Sequence, residues 1–191
     1  MAKRRLHKAA PQVDALKALR KTLAKRSKRV LIDTLVEFAA ADRRILQQLD
    51  ARFTLEIAPR QLVAATRQAI ADATWFDKRD MNRNFDYDHA AYAVVKRNLG
   101  RLVKQGQLSA AMDLSLELMV LGSQQIEMSD EGLMTDEVEE CLQVVLAAVA
   151  KCDLPADKVA AWCSQMIAND SMGFVCNKEL QSLRRRCEAS P

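Results

Sequence analysis

Residues 88–128 read DHAAYAVVKRNLGRLVKQGQLSAAMDLSLELMVLGSQQIEM, and the fold of the chain turns on how this stretch is partitioned. Tyr92, Val95, Leu99 and Leu102 recur at three- and four-residue spacing, which gathers them on one face of a helix. Gly106-Gln107 interrupts the pattern as a tight turn. A second helix then carries Leu108, Met112, Leu116 and Met119 on one flank and Ala111, Leu114, Leu118 and Leu121 on the other. A helix apolar on two flanks needs neighbours on both sides. The two antiparallel helices are therefore expected to form one layer of a stack.

The rest of the chain agrees in class. Of 191 residues, 49% are hydrophobic and 28% charged, a balance that excludes a disordered polyelectrolyte. Gly and Pro are scarce, at five and four, and no useful run alternates β-branched or aromatic residues with polar ones. The expectation is an all-α protein of stacked antiparallel helical hairpins. It would be an α-solenoid of tetratricopeptide or HEAT type, with about nine helices. Residues 1–11 form a basic tail, 12–74 N-terminal helical layers, 75–87 an aromatic-rich loop and 88–191 C-terminal helical-repeat layers, together one continuous domain.

Upstream of the hairpin, Pro11 suits the entrance of a first helix to Arg26 with a narrow stripe of Leu16, Leu19 and Leu23. Ser27 caps a second helix in which Leu31, Ile32, Leu35, Val36 and Phe38 supply a broad core face. Asp42 caps a third with Ile45, Leu46, Leu49 and Phe53, and Pro59 opens a fourth with Leu62, Val63, Thr66 and Ile70. Downstream, Ser129–Gly132 makes an acidic turn, and Asp136 with Glu139 offers a capping pair for a helix reaching Cys152. Pro155 starts a helix with Val159, Trp162, Cys163 and Met166 inward. Asn169–Gly173 ends it, and Asn177 caps a last helix with Leu180, Leu183 and Cys187 inward.

The second half resembles a helical-repeat region of bacterial proteins often found alongside SWIM-type zinc fingers. The residues that carry the likeness are Phe85, Tyr87, Ala91 and Tyr92, then Leu99 and Leu102, then Gly106 with Ala110. Ser129, Asp130, Glu131 and Gly132 follow as the acidic turn, and Asp170, Gly173 and Phe174 as a late motif, so the likeness spans residues 62–183. The finger itself, a CxC with a later Cys and His, is absent, so no metal or DNA role of that finger carries over. The resemblance implies a tetratricopeptide-like stack that presents a surface to partners.

Charge supplies the clearest functional signal. Residues 3–29 hold eleven bases (Lys3, Arg4, Arg5, Lys8, Lys17, Arg20, Lys21, Lys25, Arg26, Lys28 and Arg29) against Asp14 alone. Residues 107–157 hold eleven acids against Lys151 alone, so the net +4 conceals a dipolar sequence. The basic segment is a candidate contact for nucleic-acid phosphates. With no aromatic before Phe38 to stack on a base, such contact would be blind to sequence. The alternative is a solvated basic helix that docks on an acidic protein surface.

Trp75, Phe76, Lys78, Arg79 and Arg83 form a candidate partner-binding edge, an aromatic segment interleaved with cations. The alternative is a loop whose rings plug a junction between helices. His89 beside Asp86 and Asp88 lacks the nucleophile that a catalytic pair would need, and reads as a first-turn residue behind an Asp88 cap. Ser129-Asp130-Glu131-Gly132 lacks the ligand order of a calcium loop. Met112, Met119, Met134 and Met166 read as core filler. Five cysteines without a CxxC point to free, mostly buried thiols in a reducing compartment, hence the cytoplasm. No apolar run is long enough for a membrane helix. The functional expectation is a non-enzymatic scaffold for a protein partner, without cofactor or catalytic residues, or a sequence-nonspecific nucleic-acid binder.

Overall fold

Caps and turns set the helix boundaries before packing selects their faces. The computed structural model describes residues 10–53, 57–84 and 87–189. Lys3, Arg4, Arg5 and Lys8, together with Phe85 and Asp86, lie outside the described residues. Within them there are ten helices and no strand: α1 (Ala10–Leu23), α2 (Lys28–Ala41), α3 (Arg43–Phe53), α4 (Pro59–Thr74), α5 (Lys78–Asn84), α6 (His89–Lys104), α7 (Leu108–Met128), α8 (Thr135–Val149), α9 (Ala156–Asn169) and α10 (Asn177–Glu188). The all-α class stands. None of the described helices is long and apolar enough to cross a membrane.

Several boundaries have the expected cause. The Ser27 hydroxyl accepts from Val30 N at 3.3 Å ahead of α2, and Asp42 Oδ1 accepts from Arg44 N at 2.7 Å ahead of α3. Pro59 opens α4, and Asp88 Oδ1 accepts from Ala91 N at 2.9 Å to cap α6. Between α6 and α7, Gly106 adopts φ +73°. Gln107 N donates to Leu102 O at 2.8 Å and Gly106 N to Val103 O at 3.0 Å, the paired bonds of a Schellman turn.

Other boundaries differ. Asp136 and Glu139 lie inside α8 rather than capping it, and α8 begins after Met134 without a side-chain cap. Glu139 Oε1 instead accepts from Cys176 N at 3.0 Å, tying the start of α10 to α8. Asn177 is the first residue of α10, not its cap, and its amide donates to Gly173 O at 2.6 Å. Residues 75–87 contain a short helix, α5, where irregular chain was expected. Asp77 starts it, its Oδ1 accepting from Arg79 N at 2.8 Å and Asp80 N at 3.3 Å.

The described chain divides after residue 56 into two compact units. In the C-terminal unit α6 lies between α4 and α8, while α7 packs against α4, α8 and α9, and α10 closes on α9. Helix α4, grouped by sequence with the N-terminal helices, thus packs with the hairpin. Both flanks of α7 are used: Ala111, Met112, Leu114, Leu118 and Met119 are buried and Leu108 and Leu116 half-buried, with Leu121 and Met128 left exposed. Tyr92, Val95, Leu99 and Leu102 of α6 are all sealed, as are Met112, Met119, Met134 and Met166. A close approach at Gly122 lets α7 meet α8, since a Cβ there would sit 3.0 Å from a Val138 methyl.

The N-terminal unit is built differently. Helix α2 packs on α3, yet no described side chain of this unit is fully buried. The broad core face expected on α2 is not a core: Ile32, Leu35, Val36 and Phe38 are all exposed, with Leu31 half-buried. Leu16, Leu19 and Leu23 of α1, and Leu46 and Phe53 of α3, are exposed as well. The spacing of α2 was legible, but one short partner, α3, cannot surround a helix that is apolar over most of its circumference.

Candidate interaction surfaces

Part of the acidic stretch is paired once its helices are packed. Arg67 on α4 grips Glu117 on α7 in a bidentate pair, with Nε 3.0 and 2.8 Å from the two oxygens and a second nitrogen 2.6 Å from Oε1. That hydrogen bond raises the Arg67 pKa further above its ordinary value. Lys96 on α6 meets Glu140 on α8 at 2.8 Å, which likewise raises the lysine pKa. His89 Nδ1 lies 2.9 Å from Glu137 Oε1, and Glu139 serves the Cys176 amide. Four acids of the run are therefore engaged within the unit, three by residues 44–50 positions earlier in sequence and Glu139 by Cys176, 37 positions later. In the N-terminal unit Lys17, Arg20, Lys21, Lys25, Arg26, Lys28 and Arg29 are all exposed, Arg29 lying 3.9 Å from Asp33 in a solvated pair.

Around residue 75 the structure separates what the sequence interleaves. Trp75 is 75% exposed, while Phe76 and Tyr87 are half-buried against the core. Asn82 docks α5 on the turn after α7, its amide donating to Met128 O at 3.2 Å and its oxygen accepting from Asp130 N at 3.0 Å. Met81 is sealed beneath. The Tyr87 hydroxyl donates to Leu133 O at 3.1 Å, and its ring lies 3.9 Å from that of His89. A concavity of about 420 Å³ opens here, lined by the rings of Trp75, Phe76 and Tyr87 and by Asp72, Asp77, Asp80 and Asp88. Lys78, Arg79 and Arg83 are exposed on α5 but do not line it. Rings and cations share a segment, not a site.

A second concavity, about 440 Å³, runs between α6 and α8, lined by His89, Tyr92, Lys96, Arg97, Glu137, Glu140 and Cys141. Its flanks carry the two cross-helix pairs just described. At its floor the Cys141 thiol donates to Tyr92 O at 3.5 Å, and burial pushes its pKa up to about 12. Burial does the same to Cys176, up to about 12, and to Cys163, up to about 11. Such thiols stay protonated at neutral pH and are poor nucleophiles. All five cysteines are free, and among the described residues no three His, Cys, Asp or Glu side chains converge as a metal centre requires.

Two features escaped sequence reasoning. The Tyr92 hydroxyl donates to Gln125 Oε1, and Gln125 Nε2 donates to Ala73 O at 3.2 Å, a fully buried chain linking α6, α7 and α4. A tyrosine inside an otherwise aliphatic stripe was the available signal, because a buried phenol needs an acceptor. The other is the uncovered apolar surface of the N-terminal unit, which no local pattern distinguishes from a core face. Comparisons with family models, curated proteins and solved structures give no match to this chain.

Proposed function

We propose that this protein is a non-enzymatic helical-repeat scaffold that binds another protein. The observation that carries the reading is the contrast in apolar surface: ten large apolar side chains between Leu16 and Phe53 are exposed and none of that unit's described residues is buried, whereas the larger C-terminal unit buries most of its own and leaves six exposed. Apolar surface left exposed to this extent marks an interaction site in a stable protein. Trp75 adds an exposed indole on the C-terminal unit, a residue type that dominates interface energetics. The likeness to the SWIM-associated helical region points the same way, towards a stack that presents surface rather than chemistry. Free thiols, three of the five buried, fit a cytoplasmic setting.

The test is affinity capture with the full chain, identification of the bound protein, and reconstitution from purified components at low and moderate salt. Charging the α1 stripe with Leu16→Glu and Leu19→Glu, or removing the indole with Trp75→Ala, is expected to weaken the reconstituted complex at least about tenfold while helicity stays unchanged. Undiminished binding by all of these variants would defeat the reading.

A second reading rests on a separate observation, the seven exposed bases from Lys17 to Arg29. Phosphates of DNA or RNA would be held without sequence preference. Here a mobility shift should vanish on deletion of residues 1–29 and fade steeply with salt. A shift that survives the deletion would remove this alternative.

A further inference from the structure

The concavity beside α5 joins three aromatic rings to four carboxylates, with no base among the described residues that line it. Two of the rings are held in place. The Tyr87 hydroxyl donates to Leu133 O and its ring lies against His89, while Phe76 is half-buried against the core. Trp75 follows the last residue of α4 and stands 75% exposed, a large indole left in water.

Local helix physics accounts for part of the acidity. Asp77 and Asp88 cap α5 and α6, each accepting backbone amides through Oδ1, and Asp80 lies in the first turn of α5. Asp72 does not fit that account. It lies in the last turn of α4, where the macrodipole is negative and an acid is disfavoured. The exposed Asp80 carboxylate accepts no hydrogen bond and forms no ion pair among the described residues.

We propose that this concavity binds an arginine side chain of the protein partner, the guanidinium stacking on the rings and donating to the carboxylates around them. The inference rests on the scaffold reading and names the chemistry that the Trp75 surface takes. Charge complementarity selects a cation, since four carboxylates would oppose the phosphates of a nucleic acid or a lipid headgroup. Geometry selects an organic cation. Among the described residues no three acids, histidines or thiols converge as a hard metal ion requires, whereas a diffuse cation over aromatic faces needs no such convergence. Donors select arginine. A trimethylammonium group would use the rings alone, but the planar, weakly hydrated guanidinium carries five donors and engages rings and carboxylates together.

The test is calorimetry and indole emission on the full chain with unlabelled glycine–serine peptides. Each carries one central arginine, lysine, trimethyllysine or glutamate. At about 0.15 M salt the arginine peptide should bind saturably, with a dissociation constant at or below about 1 mM. It should shift indole emission to shorter wavelength as Trp75 leaves water, while Trp162, only 4% exposed, stays silent. The lysine and trimethyllysine peptides should bind at least about fivefold more weakly, and the glutamate peptide not at all.

Trp75→Ala should weaken the arginine peptide at least about fivefold, and so should Asp77→Asn combined with Asp80→Asn, in which asparagine keeps the α5 cap. Neutralising two exposed acids outside the concavity, Asp153→Asn with Asp157→Asn, should change binding less than about twofold. Unchanged helicity and thermal unfolding of the C-terminal unit confirm that the variants fold. No saturable binding, a trimethyllysine peptide that binds as tightly as arginine, or equal losses from the two neutralised pairs each overturns the site. If the arginine peptide fails while Trp75→Ala still weakens the reconstituted complex, the arginine assignment alone has failed. A peptide that passes every test on a chain that captures no protein fails the scaffold reading instead.

Discussion

Helices α2 and α7 make the same demand on their surroundings and are answered differently. Both are apolar on more than one flank, yet α7 has ten buried residues and α2 has none. Around α7 stand α4, α6, α8 and α9, each contributing a face. Around α2 in its own unit the main packing partner is α3, a helix of 11 residues. Amphipathic spacing states how much apolar surface a helix needs to hide. Whether it is hidden depends on how many helices the chain can bring to that place, and 56 residues bring few. The contrast teaches that an apolar stripe is a requirement for a partner, met within the C-terminal unit and left open on α2.

The strongest way to break the comparison is to truncate one side chain from each helix. Leu118→Ala on α7 removes a fully buried side chain from a filled core and should cost about 3 kcal/mol, with a clear drop in the melting temperature of the C-terminal unit. Leu35→Ala on α2 should cost under about 1 kcal/mol, because the side chain is already partly in water. Equal losses in chemical denaturation would show that the two helices are not packed differently after all.

Alkaline titration sharpens the same contrast. Cys141, Cys163 and Cys176 lie in the C-terminal unit, and burial raises their pKa values from 9.0 to about 12, 11 and 12. Between pH 9 and those values the folded state binds more protons than the unfolded one. This contribution to stability is therefore complete below pH 9 and lost as pH rises through about 11–12. The melting temperature of the C-terminal unit should fall progressively above pH 9, and Cys141→Ala should flatten the decline. Residues 1–56 contain no cysteine, so the helicity of that unit lacks this source of alkaline sensitivity. An identical pH dependence in the Cys141→Ala protein would contradict the burial assigned to that thiol.

The smallest effect concerns the surface. Arg67 and Glu117 form a well-shaped pair, but their side chains are 57% and 36% exposed, and solvent screens what they gain. Arg67→Ala should change stability by no more than about 0.5–1 kcal/mol and less at high salt. A larger loss would mean that this contact holds α4 to α7 in a way the aliphatic core does not.

Much of the fold was legible because its signals are local. Ser27, Asp42, Asp88 and Gly106 act within a few residues of themselves, so their roles follow from chain geometry alone. The stripe of α6 was legible for the same reason, since periodicity is a property of one helix. Asp136 with Glu139 shows where local reading stops. Its spacing imitates a capping box, but Glu139 is engaged by the backbone of Cys176, 37 positions away. The candidate surfaces were harder still. Trp75 and Arg79 are close in sequence but only the former lines the concavity.

The sequence by itself therefore determined the helical class, most caps and turns, and the face each helix of the hairpin turns inward. It also determined that one end of the chain is rich in bases and a later stretch rich in acids. Only the tertiary structure decided that Glu117, Glu137 and Glu140 meet Arg67, His89 and Lys96, and that the apolar face of α2 remains uncovered in the described unit. The physical reason is range: helix formation and capping act over a few residues. Charge pairing and burial depend on which distant segments arrive beside one another, which a linear pattern does not contain.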